Sequence, residues 1–417
     1  MPIWHVNTTA RGGGVAEILN ALVRHSKNSE FEHRRFVTDS DPVVFNATKR
    51  LHHRIHGVDR GGLPDPDEHT AYLAFAARNA ARLLELLRDG DTVMLHDPQT
   101  LPMASLLVRR GIPVLWRCHI GTAVPHPVSS DTWDYLSAFW PSELGLVFSV
   151  PELIPAQATG RPVATIAPSI DPDAPKNRPM SASEISEILA WAGLGDGPGG
   201  PRRAGFEAFS DGPVDDDPVL LQVSRWDPLK DMAGVLRAFV RSALPDHAQL
   251  VLCGPSPSGV ADDPEAGAVL DEVIALRHGL PPRLRRRVHL LCTPLADDLG
   301  NSLLVNALQR RADIVVQRSV QEGFGLTVTE AMFKARPVVA SAVGGIPRQI
   351  TSGQTGLLLK NPGDDEEFTG LVGSLLQDRE TAARLGRAAR ETARAEFTVE
   401  REAADHDRTV RAFHATL

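Results

Sequence analysis

Short apolar segments of strand length alternate with longer segments of helical periodicity along most of the 417-residue chain. The first example is an apolar run at residues 3–7, followed by a glycine turn at 12–14 and a segment at 15–26 whose apolar residues recur at helical spacing. Strands that alternate with helices form parallel sheets covered by helices on both faces. The sequence therefore predicts an α/β fold.

The first half of the chain continues this alternation until a run of prolines interrupts it. Further strands are predicted at 32–38, 92–96, 113–118 and 144–149, and further helices at 67–87 and 101–110. At residues 168–175 the prolines remove backbone donors and disfavour helix in the residues before them. We therefore expect a domain boundary there, with a first domain at 1–170 and a second at 171–397.

The second half of the chain repeats the pattern. Strands are predicted at 219–224, 249–253, 288–291, 314–317 and 337–340, and helices at 181–192, 232–242, 264–279, from about 326 and from 366 onward. Residues 195–218 are rich in Gly, Pro and Asp and are expected to be a mobile surface loop. The whole pattern predicts two Rossmann-like doubly wound domains facing across a cleft, with ligands at the carboxyl ends of the strands.

Charge and cysteine content exclude several classes of protein. The net charge of -8 argues against sequence-independent binding of nucleic acid, which needs a basic surface. Three distant cysteines, Cys118, Cys253 and Cys292, indicate neither a disulfide framework nor a zinc site. With no apolar run of spanning length and no basic leader segment, we expect a cytoplasmic protein that binds no membrane.

No metal site is predicted. The acidic run at 215–217 lies in the predicted loop rather than at a strand end. We therefore expect no metal held by the protein and no tightly bound cofactor.

The segment that leads from the predicted strand at 314–317 into the next helix has the features of a phosphate site. A helix that begins near Leu326 would leave the amides of Gly325, Leu326 and Thr327 free at its N-terminus, where the helix dipole favours an anion. Glu322 and Glu330 would flank that position and accept hydrogen bonds from sugar hydroxyls. The alternative is that Glu330 is a surface residue and that the glycines only form a turn.

A second polar segment follows the predicted strand at 219–224. Arg225 could bind two phosphate oxygens while Lys230 adds a positive charge, so together they could neutralise a leaving diphosphate. The alternative is a solvated loop with a structural Arg–Asp pair.

Polar or glycine-rich segments also follow three predicted strands of the first domain. Gly13 and Gly14 would let the backbone approach a ligand closely, although the spacing is not that of a dinucleotide fingerprint, and a purely steric turn is the alternative. Residues 96–99 and 116–119 each end a predicted strand, where ligands of open parallel sheets bind. Single histidines such as those in these segments are more often structural.

The Glu-x7-Glu segment resembles the donor-binding motif of the family-4 retaining glycosyltransferases, which have the two-Rossmann-domain architecture called GT-B. This resemblance implies that Glu322 contacts hydroxyls of the transferred sugar and that Glu330 contacts the nucleotide ribose. Arg225 and Lys230 look like the phosphate-binding pair of that family. The terminal residues 398–417 are expected to cross back to the first domain, as this architecture generally does.

A longer set of motifs narrows the resemblance to the trehalose glycosyltransferring synthases. The matching segments are VNTT (6–9), GGGVAEI (12–18), HDPQ (96–99), WRCHI (116–120), PSIDP (168–172), VSRWDP (223–228), QEGFGLTVTEAM (321–332) and AVGGI (342–346). The resemblance implies transfer of a hexose, with glucose expected, from a nucleoside diphosphate sugar to a sugar acceptor with retention of configuration. It also implies that Mg2+ can accompany the diphosphate and that the protein can form a homodimer.

The resemblance suggests roles for several residues of the first domain. Gly13 and Gly14 would lie near the donor phosphates, and His119 would contact the transferred sugar. The expected acceptor-binding residues are Asp97, Gln99, Glu17 and Arg117. Gly121 stands where the family has an acidic residue, which removes a hydroxyl acceptor and leaves open whether the donor or the acceptor sugar differs from glucose.

Three other functions stay open at this point. A trehalose phosphorylase-like enzyme would use free phosphate in place of the nucleotide. A nucleotide-sugar epimerase of the same shape would need an acid/base pair around the sugar, which the sequence does not identify. A non-catalytic sugar sensor would not need the phosphate-binding residues.

Overall fold

The computed structural model describes residues 1–10, 13–39, 41–195, 204–212, 214, 217–257, 265–294 and 296–416. These residues form two compact units. The first unit comprises Met1–Ile170, Glu322–Phe324 and Phe397–Leu417, and the second unit comprises Asp171–Gln321 and Gly325–Glu396.

The first unit contains a parallel sheet. Its strands are β1 (Pro2–Asn7), β2 (Glu32–Val37), β3 (Thr92–His96), β4 (Val114–Cys118), β5 (Gly145–Phe148) and β6 (Val163–Thr165). Their order is β2-β1-β3-β4-β5-β6, with every described pairing parallel. Strands β3, β4 and β5 are buried along their whole length, which explains their nearly continuous apolar sequence.

Helices cover this sheet. They are α1 (Gly14–His25), α2 (Pro42–Ile55), α3 (Pro66–Leu84), α4 (Asp97–Thr100), α5 (Met103–Val108) and α6 (Pro127–Ser137). The start of α3 shows how sequence sets a boundary: the Asp65 side chain accepts from the N–H groups of Asp67 and Glu68, and Glu68 accepts from the N–H of Asp65. Such reciprocal caps satisfy amides that have no partner within the helix.

The second unit is built on a second sheet. Its strands are β7 (Glu207–Phe209), β8 (Val219–Val223), β9 (Gln249–Pro255), β10 (Val288–Thr293), β11 (Ile314–Gln317), β12 (Val338–Ser341) and β13 (Leu357–Leu359). Their order is β13-β12-β11-β8-β9-β10-β7, and only β7 is antiparallel to its neighbour among the described strands.

The helices of the second unit lie along this sheet. They are α7 (Ala182–Trp191), α8 (Met232–Arg241), α9 (Glu265–His278), α10 (Pro282–Arg285), α11 (Asp298–Arg311), α12 (Leu326–Phe333), α13 (Ile346–Gln349), α14 (Asp365–Gln377) and α15 (Arg379–Glu396). Short 3-10 helices in the chain are Ser26–Asn28, Pro151–Leu153, Ala156–Ala158 and Pro228–Lys230.

The last helix, α16 (Val399–His414), belongs to the first unit. It begins where the backbone of Ile170 pairs with that of Phe397 and Val399. Its apolar face packs on the first sheet, where Val410 joins the cluster around Ile3. The end of the chain therefore completes the core of the first unit.

The prediction of two parallel-sheet α/β domains is confirmed, with local differences. The sequence prediction missed helices α2, α6, α10, α11 and α13 and strands β6 and β13. The loop predicted at 195–218 is wrong in part, because strand β7 lies within it and pairs with β10. Residues 196–203, 213 and 215–216 of that loop, Gly12 of the predicted turn and Pro264 of the predicted helix lie outside the described residues.

Each sheet has one point where neighbouring strands are connected in opposite directions. In the first unit this point lies between β1 and β3, and in the second unit it lies between β8 and β11. Loops that follow such strands diverge and leave a crevice at the carboxyl edge, where ligands of doubly wound sheets bind. The segments after these four strands are therefore the places to look for functional residues.

Candidate functional site

The N-terminus of α12 is accessible for an anion. Gly325, the residue before the helix, has a φ of 87°, a left-handed conformation that glycine adopts without strain. No side chain caps the helix, and Leu326 and Thr327 are only partly buried. The Thr327 hydroxyl instead donates to Gln317 Oε1 (3.0 Å). The helix therefore begins at Leu326, as predicted, and no side chain caps its first amides.

The loop after β8 lies beside the loop after β11. The backbone N–H of Val320 donates to the carbonyl of Leu229 (2.8 Å), and the side chain of Gln222 donates to the carbonyl of Lys230 (2.7 Å). The same Gln222 side chain accepts from the backbone N–H of Arg318 (3.1 Å). These bonds hold the two predicted phosphate-binding loops together at the carboxyl edge of the second sheet.

Arg225 and Lys230 both lie in the loop after β8. The Arg225 guanidinium is bonded to the buried carboxylate of Asp227 (2.5 Å), while 40% of the Arg225 side chain stays exposed. The Arg–Asp pair that the sequence analysis left open as an alternative is thus present. It orients the guanidinium without burying it. Lys230 ends the 3-10 helix Pro228–Lys230 and is partly exposed.

Glu330 is buried inside the second unit. Its side chain is 2% exposed, so the interpretation of Glu330 as a surface residue is wrong. One carboxylate oxygen accepts from Gln309 Nε2 (3.3 Å), and the other lies 3.6 Å from Lys176 Nζ. A buried carboxylate that is held by neighbours rather than exposed to water is positioned as a hydrogen-bond acceptor.

A buried lysine, Lys334, lies on the other side of this cluster. The ammonium of Lys334 donates to Asn177 Oδ1 (3.0 Å), Gln309 Oε1 (2.8 Å) and the carbonyl of Glu330 (3.2 Å). Burial lowers the pKa of Lys334 to about 7, although the Glu330 carboxylate opposes this change. Lys176, Asn177 and Gln309 were not predicted at a site because they come from segments distant from Glu330. Lys334, one helical turn after Glu330, was not predicted either.

Glu322 belongs to the first unit together with Gly323 and Phe324. A Cβ on Gly323 would lie 2.7 Å from the carbonyl oxygen of His119, so only glycine allows the backbone to come this close. Glu322 is 9% exposed, and the ring of Phe324 packs on that of Phe397 with centroids 5.7 Å apart. The first unit therefore places Glu322 next to the segment that carries His119.

Asp97 and His119 come from the loops after β3 and β4. Asp97 Oδ1 accepts from the backbone N–H of His119 (2.8 Å), and the backbone carbonyl of Asp97 accepts from Trp116 Nε1 (2.9 Å). Asp97 has a φ of 60°, a strained conformation for a residue with a side chain. Burial raises the pKa of Asp97 to about 6, while the His119 N–H opposes this rise. Burial also lowers the pKa of His119 well below its ordinary value, so its imidazole is neutral.

The remaining candidates of the first unit lie after β1 and β3. Gly13 precedes α1 with a φ of 81°, and Gly13 and Gly14 are exposed, as is Glu17 in the first turn of the helix. Gln99 lies in α4 and is partly exposed. These residues follow the two strands that flank the crevice of the first sheet.

An arginine that the sequence analysis did not consider holds the loop after β1. The Arg35 guanidinium donates to Asn7 Oδ1 (2.9 Å), to the carbonyl of Ala10 (3.1 Å) and to the carbonyl of Thr9. No sequence signal distinguishes this arginine from the many others in the chain.

Comparison with known proteins decides the family. A family model described as "Trehalose synthase, N-terminal domain" matches residues 5–155, and one described as "Glycosyl transferases group 1" matches residues 299–392. The trehalose synthase of Rubrobacter xylanophilus is 34% identical over 96% of this chain and 87% of that protein. This chain belongs to the trehalose synthase family.

Other members of the wider group are more distant. A trehalose phosphorylase of Pleurotus pulmonarius is 27% identical over 89% of this chain and 52% of that protein. Among solved structures, a UDP-forming α,α-trehalose-phosphate synthase from Burkholderia xenovorans matches with a TM-score of 0.72 and 16% identity over 99% of both chains. The fold of this trehalose synthase family member is thus of the GT-B class.

The structure corrects the role expected for Arg117. Its side chain is completely buried and donates to Glu402 (2.6 Å), to His406 (2.9 Å) and to the carbonyl of Ile166 (3.0 Å). The prediction that Arg117 binds the acceptor is therefore wrong, because its guanidinium is enclosed against α16. Arg117 lies on the buried strand β4, and its side chain points to the face of the sheet that α16 covers.

Gly121, where this family member departs from the expected acidic residue, has no space for a side chain. A Cβ built there would lie 2.8 Å from Leu153 Cβ and 3.2 Å from the Leu153 carbonyl oxygen. The close packing of Leu153 therefore leaves no room for an acidic side chain at this position.

Neither a metal cluster nor a membrane-spanning helix is found in the parts of the chain that the structure describes. Within those parts, no group of three or more His, Cys, Asp and Glu side chains is arranged to hold a metal ion. The described helices include none that is both long and apolar enough to cross a bilayer. Asp215 and Asp216 of the acidic run fall outside these parts.

Proposed function

We propose that this chain is a retaining hexosyltransferase that moves glucose from a nucleoside diphosphate glucose to a hydroxyl of a sugar acceptor. The observation that carries the proposal is the pairing of two phosphate-binding elements at the switch point of the second sheet. The uncapped N-terminus of α12 and the loop with Arg225 follow adjacent strands and are joined by the Val320–Leu229 hydrogen bond.

This transfer requires stabilisation of the charge on the leaving diphosphate more than it requires a protein nucleophile. When the bond between the anomeric carbon and the phosphate oxygen breaks, negative charge develops on the diphosphate. Amides at a helix N-terminus, a guanidinium and an ammonium stabilise such charge, and Gly325, Leu326, Thr327, Arg225 and Lys230 supply these groups. Mg2+ would enter with the diphosphate as part of the substrate.

The anomeric configuration of the transferred sugar is retained if the reaction takes place on one face of the sugar. The acceptor oxygen forms its bond to the anomeric carbon on the side from which the diphosphate leaves. Its proton passes to the departing phosphate oxygen, so no protein base is required. The protein contributes by positioning the reactants and excluding water.

Carboxylates on each unit suit the hydroxyl groups of the donor. The buried Glu330, oriented by Gln309 and Lys176, would accept from the ribose hydroxyls. In the first unit, Glu322 beside the His119 segment would accept from hydroxyls of the transferred sugar.

The first unit also offers groups for the acceptor. Asp97, Gln99 and Glu17 follow the strands that flank the crevice of the first sheet, where they would bind acceptor hydroxyls. Gly13 and Gly14 would lie against the donor phosphates, because an exposed glycine turn before a helix lets a phosphate approach the backbone.

A phosphorylase function is the second candidate, because the similarity to the trehalose phosphorylase of Pleurotus pulmonarius extends over 89% of this chain. An orthophosphate could occupy the same helix N-terminus as a diphosphate. This chain spans only 52% of that phosphorylase but 87% of the Rubrobacter trehalose synthase, which favours the synthase reaction.

A product assay tests both candidates. Purified protein is incubated with glucose and with UDP-, ADP-, GDP- or TDP-glucose, and products are identified by mass and by the anomeric signals in NMR. We expect a nucleoside diphosphate and an α-linked disaccharide. Orthophosphate-dependent cleavage of trehalose without any nucleotide-dependent transfer would instead favour the phosphorylase.

Two variants with matched controls test the site. Arg225→Ala and Glu322→Gln are expected to lower kcat/KM about 100-fold, the scale measured when an enzyme loses one charge-stabilising group. Arg283→Ala and Glu272→Gln make the same changes at exposed ion pairs and should leave transfer unaffected. Folded Arg225→Ala and Glu322→Gln proteins with wild-type rates would contradict the assignment.

A further inference from the structure

Four histidines form a diagonal row across the sheet of the first unit. Each lies one strand further along the sheet and two residues nearer to its carboxyl edge than the one before. Residues two apart in a strand share a face, so all four side chains lie on one side of the sheet. The row consists of His33 on β2, His5 on β1, His96 on β3 and His119 after β4.

The rings are linked by hydrogen bonds from end to end. The ring contacts are His33 Nδ1 to His5 Nε2 (2.9 Å), His5 Nδ1 to His96 Nε2 (3.0 Å) and His96 Nδ1 to His119 Nε2 (2.9 Å). At the outer end, His33 Nε2 lies 3.1 Å from Ser29 Oγ. The Ser29 hydroxyl in turn donates to Asp407 Oδ1 on α16 (2.7 Å).

All four imidazoles are neutral at ordinary pH. Burial lowers the pKa of His5, His96 and His119 well below the ordinary value, and it lowers that of His33 to about 4. The edge of the His406 ring packs against the row, and the Arg117 guanidinium lies nearby, so both disfavour a further positive charge. A neutral imidazole has one N–H and one acceptor nitrogen.

The number of hydrogens decides the direction of the hydrogen bonds along the row, that is, which nitrogen of each ring donates. Four contacts join Ser29 and the four histidines, and each contact needs one hydrogen. The ionised Asp407 can only accept, so it takes the hydrogen of the Ser29 hydroxyl. The contact between Ser29 and His33 must then use the hydrogen on His33 Nε2. Each ring that donates from Nε2 accepts at Nδ1 from the next ring in the row. His119 therefore carries its hydrogen on Nε2 and none on Nδ1.

The inner end of the row is an acceptor without a partner. His119 Nδ1 is buried and has no hydrogen-bond partner among the described residues. If the direction were reversed, Nδ1 would carry a hydrogen and could only donate, so it could not accept from a sugar hydroxyl. The tautomer of His119 therefore decides which group it can receive.

We propose that Asp407 and Ser29 are positioning residues that, through His33, His5 and His96, hold His119 in the tautomer whose Nδ1 accepts a hydrogen bond from a substrate hydroxyl. The identity of that hydroxyl as one of the transferred sugar rests on the proposed function. The direction of the row does not, because it follows from the side chains of the first unit.

The test measures the tautomer directly. In protein labelled with 15N-histidine, nitrogen NMR distinguishes a ring nitrogen that carries hydrogen from one that does not, and His119→Asn assigns the His119 signals. In the wild type we expect His119 Nε2 protonated and Nδ1 unprotonated. In Ser29→Ala the row loses its fixed end, so His119 should show both tautomers.

Matched variants separate this effect from damage to the fold. Ser26→Ala removes a hydroxyl from the same turn, where it accepts from the backbone N–H of His33 (2.6 Å) but does not contact the ring, and should keep the wild-type tautomer. Ser29→Thr keeps a hydroxyl and should restore it. A protonated Nδ1 in the wild type, or an unchanged His119 spectrum in Ser29→Ala, would overturn the proposal.

Activity gives an independent second readout. If about half of the Ser29→Ala molecules hold the competent tautomer, KM for the donor rises about twofold with little change in kcat. If the predicted tautomers are found but no nucleotide sugar serves as donor, the result supports the proposed role of the row and contradicts the proposed function. If transfer occurs but the tautomers differ from those predicted, the result contradicts only the proposed role of the row.

Discussion

The side chains of Arg117 and Glu402 form an ion pair of 2.6 Å in which both are completely buried. It joins strand β4 to helix α16 across 285 residues of sequence. Glu402 also accepts from the hydroxyl of Ser169, and Arg117 donates to His406. The end of the chain is thus fastened to the first sheet by a buried, hydrogen-bonded ion pair.

The Arg117→Met variant should lose about 3–5 kcal/mol of unfolding free energy, because it leaves a buried carboxylate without its partner. Denaturant unfolding measures this loss. Arg411→Ala removes an exposed arginine that pairs with Glu30 from the same helix and should cost no more than about 1 kcal/mol. Equal losses for the two variants would contradict the role of burial.

Asp97 should make the protein less stable as the pH rises from 4 to 6. Burial raises its pKa from 3.8 to about 6, so the folded state holds the proton more tightly than the unfolded state. Its contribution to stability is present below pH 4 and is lost as the pH passes 6, by up to about 3 kcal/mol. Asp97→Asn cannot titrate, and its unfolding free energy should lack this part of the decrease. Parallel curves for the two proteins would show that Asp97 titrates normally.

Lys334 should have the opposite effect at higher pH. Burial lowers its pKa from 10.5 to about 7, so between these values the unfolded state binds a proton that the folded state has released. The unfolding free energy of the wild type should therefore rise more steeply with pH above 7 than that of Lys334→Met. Urea unfolding at pH 7, 8 and 9 measures the two slopes, and identical slopes would contradict the prediction.

Gly323→Ala should impair transfer while the protein stays folded. The new Cβ would lie 2.7 Å from the His119 carbonyl oxygen, so the backbone beside Glu322 must shift. Misplacement by about 1 Å can lower the rate about 100-fold. Gly370→Ala, which has nothing within 4 Å of the new Cβ, is the matched control for kcat/KM. Wild-type kcat/KM in Gly323→Ala would contradict the site placement.

Restoring the family's acidic residue at position 121 should require a second change. Gly121→Asp alone places its Cβ 2.8 Å from Leu153 Cβ and should cost about 1–3 kcal/mol through overpacking. Leu153→Ala is expected to recover part of this loss in the double variant by removing the contacted side chain. Thermal unfolding of the two single variants and the double variant measures the coupling, and additive losses would show that Leu153 is not the obstacle.

Much of the fold could be predicted because its signals are local. The strand at Thr92–His96 is a continuous apolar run, and the helix from Leu326 follows a glycine in left-handed conformation. Helix α11 was missed because its apolar residues are not confined to one face, since it is buried on several sides. Strand β7 was missed because three residues carry little pattern, and its conformation depends on pairing with β10.

Some residues of the candidate site also have a local sequence signal, and others do not. The loops that contain Gly325 and Arg225 could be identified from sequence because each loop follows a strand, and a parallel sheet brings its strand ends to one edge. Lys176 and Gln309, which hold Glu330, are 154 and 21 residues away from it in sequence and have no local signal.

The sequence by itself therefore determined the two doubly wound domains and the loops after their strands that carry the candidate site residues, because periodicity and strand ends are properties of short segments. Only the tertiary structure decided which polar side chains are available to a ligand. It buried Arg117 against Glu402, packed Leu153 over Gly121 and aligned the histidines from Asp407 to His119. These contacts join distant segments, and their energies depend on burial, which no local pattern records.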